Sequence, residues 1–179
     1  ELPPVSFDKG RNYPHVAIRR LKLNTSIDSV LIKDSRINYS EYNPKSKKKG
    51  TVTFDRFNAL IRNVSNDPDQ LAADHWARAN VRAWLMNKGR MDVNLNMDLT
   101  AKNADFNFNG TMARMDMREL NALSRNMSLA EIRSGMINKA EFRVSANWRT
   151  SSGYLKLNYN DLSIDLLKND TDTDTLKKR

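Results

Sequence analysis

One stretch of this chain alternates between apolar and polar side chains without a fault, and it limits the possible folds more than any other feature. Within residues 90–101 the odd positions are Met91, Val93, Leu95, Met97 and Leu99. The even positions from 90 to 98 are all Arg, Asp or Asn. Because successive side chains of a β-strand point to opposite faces, this pattern predicts a strand with one buried face and one solvated face.

The same alternation returns in other segments that are separated by short polar turns. In the strand predicted at 75–86, small or apolar residues occupy the odd positions from 77 to 85, and the segments 104–112 and 140–148 alternate in the same way. Two successive strands are also predicted at 26–33 and 36–43, meeting near Asp34-Ser35. Short turns between long strands predict an antiparallel sheet, because parallel strands need long crossover connections.

Several of the predicted strands change phase, which indicates β-bulges. In the strand predicted at 51–64 the apolar register shifts between Phe54 and Phe57, so one extra residue is expected near Asp55-Arg56. Two further bulges are expected, at Gly135 and between Tyr159 and Leu162. Strands that are long and bulged predict a sheet that curves.

Two helices and one irregular segment interrupt the strands. Pro14 suits the first turn of a short helix over 14–21. Asp116, followed three residues later by a glutamate, has capping-box spacing and predicts a helix over 116–125 that lies across an end of the sheet. Residues 65–74 carry no periodicity and are predicted to be irregular and mobile.

The composition indicates that only one face of the sheet is buried. Hydrophobic residues make up 39% of the 179 residues, which is thin for a sheet buried on both sides. We therefore predict a mainly β fold, a long, curved antiparallel sheet (half-barrel or groove) of about eight strands with one or two short helices. The sheet domain is expected over 14–167, after an irregular lead-in at 1–13. A flexible polar tail at 168–179 is expected to lead toward a downstream region of a longer protein.

The net charge of +9 favours anionic partners. Nucleic acid is disfavoured, because its binding needs basic residues gathered into a patch and here they are spread along the strands. An anionic membrane surface is kept as a partner to test. The one local run, formed by Lys45, Lys47, Lys48 and Lys49, is interpreted as a solvated hairpin loop.

The residue types needed for catalysis do not come together in the sequence. His15 and His75 have no second histidine or carboxylate at ligand spacing, and no HExxH, P-loop, GxGxxG or GxSxG motif occurs. The sequence contains no cysteine, which excludes disulfides and cysteine-ligated metals. We therefore predict a non-enzymatic protein with no catalytic residue, no cofactor and no metal site. One alternative concerns three aspartates on the polar face, Asp92, Asp98 and Asp105, which could form a cation-binding cluster. We favour the interpretation that they belong to a solvated polar face.

The apolar face supplies the candidate functional site. If the sheet curls, its apolar residues line a groove, and the candidates are Met91, Val93, Leu95, Met97, Leu99, Phe106, Phe108, Phe142 and Val144. Met and Leu side chains adapt to variable shapes, which suits acyl chains. The same residues could instead pack against the helices and the opposite arm of the sheet as a plain core, and both interpretations stay open here.

Ordered blocks of the sequence resemble a known family. Segment 27–66 contains a strand of the form R-I-x-Y-x-E, a polar loop that ends in Gly, and then G-T-V-T-F-D-x-x-N-A-x-I-x-N. Together with 83–99, 116–132 and 132–167, it is similar to AsmA-like envelope proteins, particularly those of Bacteroidota. The resemblance covers most of 14–167, and Ser35 departs from it where the turn more usually holds Gly.

The resemblance implies a periplasmic body on a membrane anchor that lies outside this segment. It implies a long curled sheet with an apolar concave groove, and a role in moving phospholipid between membranes or in outer-membrane biogenesis. The implied partners are phospholipid acyl chains and other segments of the same full-length protein. The alternative is a structural or scaffolding β module whose open sheet edges assemble with other protein segments and which has no lipid path.

Overall fold

The computed structural model describes residues 13–170 and 175–178, which form nine strands. The strands are β1 Ser26–Asn43, β2 Lys48–Ser65, β3 Trp76–Leu85, β4 Gly89–Asp98, β5 Phe106–Met112, β6 Met115–Asp116, β7 Ala130–Ala146, β8 Ser151–Asp170 and β9 Thr175–Lys178. The α-helices are α1 Pro14–Arg19, α2 Pro68–Ala73 and α3 Asn121–Met127, and a 3-10 helix, Met117–Leu120, directly precedes α3. The predicted lead-in at 1–13 lies, apart from Tyr13, outside the described residues.

The strands form one antiparallel sheet in the order β1-β2-β3-β4-β5-β7-β8-β9, with β6 beside β7. Strand accounts for 65% of the structure, and the sheet is open and curled into a half-barrel. This confirms the predicted fold class. Strands that follow each other through short turns must be antiparallel neighbours, which explains the order. Between β5 and β7 the chain passes through β6, the 3-10 helix and α3.

The prediction of separate strands at 26–33 and 36–43 is wrong, because both segments belong to β1. Asp34 adopts a left-handed φ of 42°, and the register with β2 shifts on both sides of Ser35. The two halves nevertheless pair with the same neighbour, β2. The Asp34 backbone N–H donates to the Asn58 Oδ1 at 3.2 Å, so the irregular position keeps a hydrogen bond. In the sequence, a bulge within one strand therefore looks the same as a turn between two strands.

The predicted bulges are confirmed where the apolar register changes phase. Arg56 has a φ of 45°, and the pairing of β2 with β3 shifts between Asp55 and Asn58. In the β7–β8 pair, Gly135 has a φ of 147° and Asp161 a φ of 55°, and the register shifts around both residues. Each bulge keeps the apolar side chains of its strand on the same face and increases the local twist.

The segment predicted to be irregular at 65–74 contains α2. The Asp67 side chain accepts hydrogen bonds from the backbone N–H groups of Asp69 and Gln70 at 3.0 and 3.1 Å, and Pro68 occupies the first helical position. A capping aspartate followed by proline is a helix-start signal, but Leu71 is the single large apolar residue of α2, so no apolar period is visible. The predicted helix at 116–125 is present, and it begins as the 3-10 turn that Asp116 caps.

The structure also differs from the expected flexible tail at 168–179. Residues 168–170 continue β8, and residues 175–178 return beside them as β9. The Lys178 Nζ lies 2.7 Å from the Asp165 Oδ2, so an ion pair supports this ribbon. Residues 171–174 and 179 of the expected tail lie outside the described residues.

Buried clusters occupy the two ends of the inner face. Ala77, Met97 and Leu99 form one cluster, against which Leu71 of α2 packs. The other cluster consists of Met112, Met115, Met117, Ile132, Ile137 and Ala140. Met91 and Met97 lie toward opposite ends of β4. Met97 belongs to the first cluster, and Met91 packs against the second. The middle of the inner face lies between these two cores.

Candidate functional site: an apolar groove inside the curled sheet

The wall of the groove is built from β3, β4 and β5 in register. Leu95 on β4 pairs with Ala79 on β3 and with Phe108 on β5. Neighbouring rows repeat the arrangement in the triplets Val81–Val93–Gly110 and Ala83–Met91–Met112. Because directly paired residues point to the same face, the alternation of each strand merges into one continuous apolar surface.

The nine predicted groove residues lie along this inner face, and burial divides them into two sets. Met97 is 6% exposed and Leu99 is 1% exposed, because both belong to the cluster that packs with α2. The half-buried residues are Met91, Val93, Leu95, Phe106, Phe108, Phe142 and Val144. Met97 and Leu99 are therefore core residues, whereas the half-buried residues keep apolar surface accessible.

The inner face lines an open groove with a cavity volume of about 390 Å³. Its lining consists of Ile37, Phe54, Phe57, Val81, Ala83, Met91, Val93, Leu95, Phe106 and Phe108, all of which are apolar. Ile37, Phe54 and Phe57 come from the arm formed by β1 and β2 and were missing from the predicted set. The phase change at Arg56 was the available signal, since the bulge brings Phe54 and Phe57 to the same face.

Phe142 reaches the groove across a glycine. Gly110 on β5 pairs with Phe142 on β7, and a Cβ at Gly110 would stand 2.7 Å from the Phe142 Cζ. The absence of a side chain at position 110 lets the phenyl ring lie over the backbone. The ring then meets Phe108 edge-on, with 6.1 Å between the ring centroids. This contact extends the aromatic wall that Phe108 begins.

Helix α1 covers one end of the groove. The rings of Tyr13 and His15 lie 5.4 and 6.1 Å from that of Phe106, which lines the cavity. The Arg19 Nη1 donates to the Ala101 carbonyl at 2.7 Å and fixes the end of the helix. His15 is 2% exposed, and burial, reinforced by the charge of Arg19 and opposed by that of Asp98, holds its pKa below the ordinary value.

Helix α3 joins the two arms of the curl at the other end. On one arm it packs on Gly50 of β2, where an added Cβ would stand 2.3 Å from the Met127 Cγ. On the other arm, the Asn121 Nδ2 donates to the Ile132 carbonyl at 2.9 Å, and the Ile132 N–H donates to the Asn121 Oδ1 at 2.8 Å. Because β2 and β7 are separated by three strands, this helix holds the sheet in its curled shape.

The outer face carries cross-strand polar pairs. The Asn80 Nδ2 donates to the Asn94 Oδ1 at 2.7 Å, and the Asn96 Nδ2 donates to the Asn107 Oδ1 at 2.9 Å. The Arg56 guanidinium lies 4.1 Å above the centre of the Trp84 ring. Such pairs stabilise a solvated sheet surface, so polarity is separated by side, as the alternation predicts.

Two of the aspartates considered as a cation cluster, Asp92 and Asp98, are engaged by other groups. The Asp92 carboxylate accepts from Arg82 at 2.8 Å and from Arg90 at 3.0 Å. Burial alone would raise the pKa of Asp92, but the hydrogen bonds and charges of these arginines hold it below its usual value. The Asp98 Oδ1 accepts from the Thr100 and Ala101 N–H groups. In the part of the chain that the structure describes, no three His, Cys, Asp or Glu residues could hold a metal ion together.

Within residues 13–170 and 175–178, no helix has the length and apolar character needed to cross a membrane. Comparison of the chain with protein-family models finds no match. Curated proteins and solved structures also yield no match. The resemblance to AsmA-like proteins therefore stays a prediction that rests on the sequence blocks, and the apolar groove is the feature from which a function can be argued.

Proposed function

We propose that this chain is a non-catalytic, periplasmic segment of an AsmA-like envelope protein, and that its inner face contributes an apolar groove to lipid handling and outer-membrane homeostasis. The observation that carries the proposal is the cavity of about 390 Å³, whose lining side chains are all apolar. An acyl chain has no polar group to satisfy, so such a lining binds it through the removal of apolar surface from water.

The packing of the groove supports a ligand site more than a plain core. Protein cores are close-packed and leave few spaces larger than a water molecule. Here the middle of the inner face is not filled, and an open groove remains between the two buried clusters. Ile37 at its β1 rim is 42% exposed, so the apolar surface continues to the opening. An exposed apolar surface of this kind is typical of an interaction site.

Site-specific crosslinking tests the proposal directly. A photocrosslinking residue at Leu95 or Phe106, introduced into the full-length protein in its native host, is expected to capture lipid. Mass spectrometry of the purified protein should detect the adduct together with non-covalently bound lipid. Both positions line the cavity, so a bound acyl chain would lie within van der Waals reach.

The chain offers matched controls next to these positions. Asn94 and Asn107 are the sequence neighbours of Leu95 and Phe106, and their side chains point to the outer face. Crosslinkers at Asn94 and Asn107 should capture little lipid. The lipid proposal is overturned if all four positions yield the same amount of adduct, or if none yields any and the purified protein carries no lipid.

A scaffolding role is the second candidate, and the edges of the sheet support it. Among the described strands, β1 pairs on one side only, and so does β8 over residues 151–166. Leu155 and Leu166 on β8 are 63% and 59% exposed. An open edge with exposed apolar side chains is a template for a further strand from another protein segment.

A deletion and an edge variant separate the two candidates. Loss of envelope lipid balance after deletion of this segment from the full-length protein supports lipid handling. Unchanged lipid with loss of partner assembly supports scaffolding instead. A Leu155→Lys variant should weaken edge assembly, because charged side chains disfavour strand addition, and it should leave crosslinking from Leu95 intact.

A further inference from the structure

The loop between β1 and β2 is held rigidly against the end of α3. Ser46 is fully buried, and its Oγ donates to the Asn126 carbonyl at 2.6 Å. The Asn43 Nδ2 donates to the carbonyls of Asn126 and Met127 at 3.0 and 2.9 Å. In return, the Asn126 Nδ2 donates to the Lys49 carbonyl at 2.7 Å. The loop is therefore a hairpin with exposed lysines, as the sequence predicts, and its backbone is held in place by α3.

This hairpin presents positive charge that the protein itself does not neutralise. Residues 42–50 contain four lysines and no acidic residue. Lys45, Lys47 and Lys49 are exposed. Within the described part of the chain, these three side chains form no ion pair, whereas Lys88 in the β3–β4 turn pairs with Glu119 at 3.7 Å. The end of this hairpin therefore carries a local positive charge that is available to a negatively charged partner.

An exposed aromatic side chain flanks the lysines. Tyr42 pairs directly with Lys49 across the hairpin, on the outer face of the sheet, and is 40% exposed. Tyrosine is enriched where a protein meets the boundary between water and lipid, because its ring is apolar and its hydroxyl is polar. Lysines combined with an interfacial aromatic are typical of surfaces that bind anionic membranes.

We propose that the β1–β2 loop, together with the adjoining strand residues Tyr42 and Lys49, docks on the surface of an anionic phospholipid bilayer through Lys45, Lys47, Lys49 and Tyr42. The lysine ammonium groups approach the headgroup phosphates, and the Tyr42 ring enters the interfacial layer. This inference goes beyond the proposed function, which concerns the inside of the groove, and it holds or fails independently of what fills the cavity.

The shape of the loop favours a bilayer over nucleic acid. A nucleic-acid site follows the phosphate backbone with basic residues along a track and commonly stacks bases on aromatic rings. The three lysines instead lie within five consecutive residues, Lys45 and Lys47 in the turn and Lys49 at the start of β2, and Lys47 has a φ of 56°. Such a compact cluster suits a surface of headgroups better than it suits an extended nucleic-acid strand.

Vesicle co-sedimentation tests the inference. The intact protein is expected to bind vesicles of equimolar phosphatidylcholine and phosphatidylglycerol, and to bind pure phosphatidylcholine vesicles weakly, with affinity falling as salt rises. Each lysine near an anionic surface contributes about fivefold to partitioning, so the variant Lys45→Gln/Lys47→Gln/Lys49→Gln should lose about 100-fold. Tyr42→Ala should cause a smaller loss without changing the salt dependence.

A charge-matched variant serves as the control. Lys33→Gln/Lys102→Gln/Lys156→Gln removes the same charge from exposed positions outside the loop and should retain most of the binding. Thermal melting checks that both triple variants are folded. Equal losses in the two variants, or equal binding of the intact protein to both vesicle types, would overturn the inference. So would binding to single-stranded RNA that is tighter than binding to the anionic vesicles and that depends on the same three lysines.

Discussion

The central strands and the edge strands carry the same apolar alternation, yet they bury it to different degrees. Leu99, just beyond the end of β4, is 1% exposed, whereas Leu155 on β8 is 63% exposed. A central strand has a neighbour on each side, and α2 packs near Leu99, whereas β8 has one neighbour along most of its length. Alternation therefore identifies the apolar face of a strand, whereas the position of the strand in the sheet decides how much of this face is buried.

Truncation of the two leucines should show the largest difference between centre and edge. Leu99→Ala removes a fully buried side chain and leaves a void, so we expect the free energy of unfolding to fall by about 3 kcal/mol. Leu155→Ala should change it by less than about 0.5 kcal/mol, because the side chain is mostly solvated. Urea denaturation measures both values. Similar losses for the two variants would show that β8 is covered in solution.

A side chain at Gly110 should break the close packing of the central strands. A Cβ there would stand 2.6 Å from the Asp92 carbonyl oxygen and 2.7 Å from the Phe142 Cζ. The carbonyl is part of the backbone of β4, so it cannot move aside as a flexible side chain could. Gly110→Ala should therefore lower the free energy of unfolding by about 2 kcal/mol. Thr111→Ser, at the next position on the exposed outer face, is the matched control and should be nearly neutral. A stabilised Gly110→Ala protein would mean that the strands separate easily.

The α1 end of the central wall should be sensitive to acid. The pKa of His15 in the folded protein lies below its ordinary value of 6.5, so the unfolded chain takes up a proton first as the pH falls. Stability should therefore decline as the pH drops below about 6.5, by at most about 1.4 kcal/mol per pH unit. His15→Leu should flatten this decline, as measured by thermal melting between neutral pH and pH 5.

A second histidine provides the control for this acid response. His75 has a side chain that is 45% exposed and lies 3.8 Å from the Asp98 carboxylate. His75→Gln should leave the decline below about pH 6.5 in place. If His75→Gln removes the decline and His15→Leu does not, burial of His15 under α1 is not the cause.

The outer face should show the smallest effect. Arg82 pairs with Asp92 at 2.8 Å across β3 and β4, and both side chains are substantially exposed. Arg82→Met should lower the free energy of unfolding by about 0.5 kcal/mol or less, and added salt should shrink the difference further. Denaturation curves at low and high salt measure this. A loss comparable with that of Leu99→Ala would contradict the separation of an apolar inside from a solvated outside.

Much of the fold could be predicted because its signals are local. The alternation of β4, the phase change at Arg56 and the capping residue Asp116 each depend on a few consecutive residues. The break within β1 could not be told from a turn, because only pairing with β2 shows that both halves belong to one strand. Helix α2 was missed because it contains one large apolar side chain, Leu71, and so displays no apolar period.

The candidate site could be predicted in part. Residues of β4 and β5 were identified, since their alternation is unbroken, and five of the nine predicted residues line the cavity. Phe54 and Phe57 were missed because their contribution depends on how far the sheet curls. The role of the β1–β2 loop was also hidden, because the hydrogen bonds from Asn43 and Ser46 reach α3, about 80 residues away in sequence.

The apolar side of each strand can be identified without a structure, because a two-residue period follows from the geometry of the extended backbone. Which apolar residues become core, line a cavity or stay exposed depends instead on the folded arrangement. Burial depends on neighbours that are distant in the chain, namely the adjacent strands and the helices α1 and α3 that cover the two ends of the groove. For the same reason, the order of the lysine loop depends on its contacts with α3.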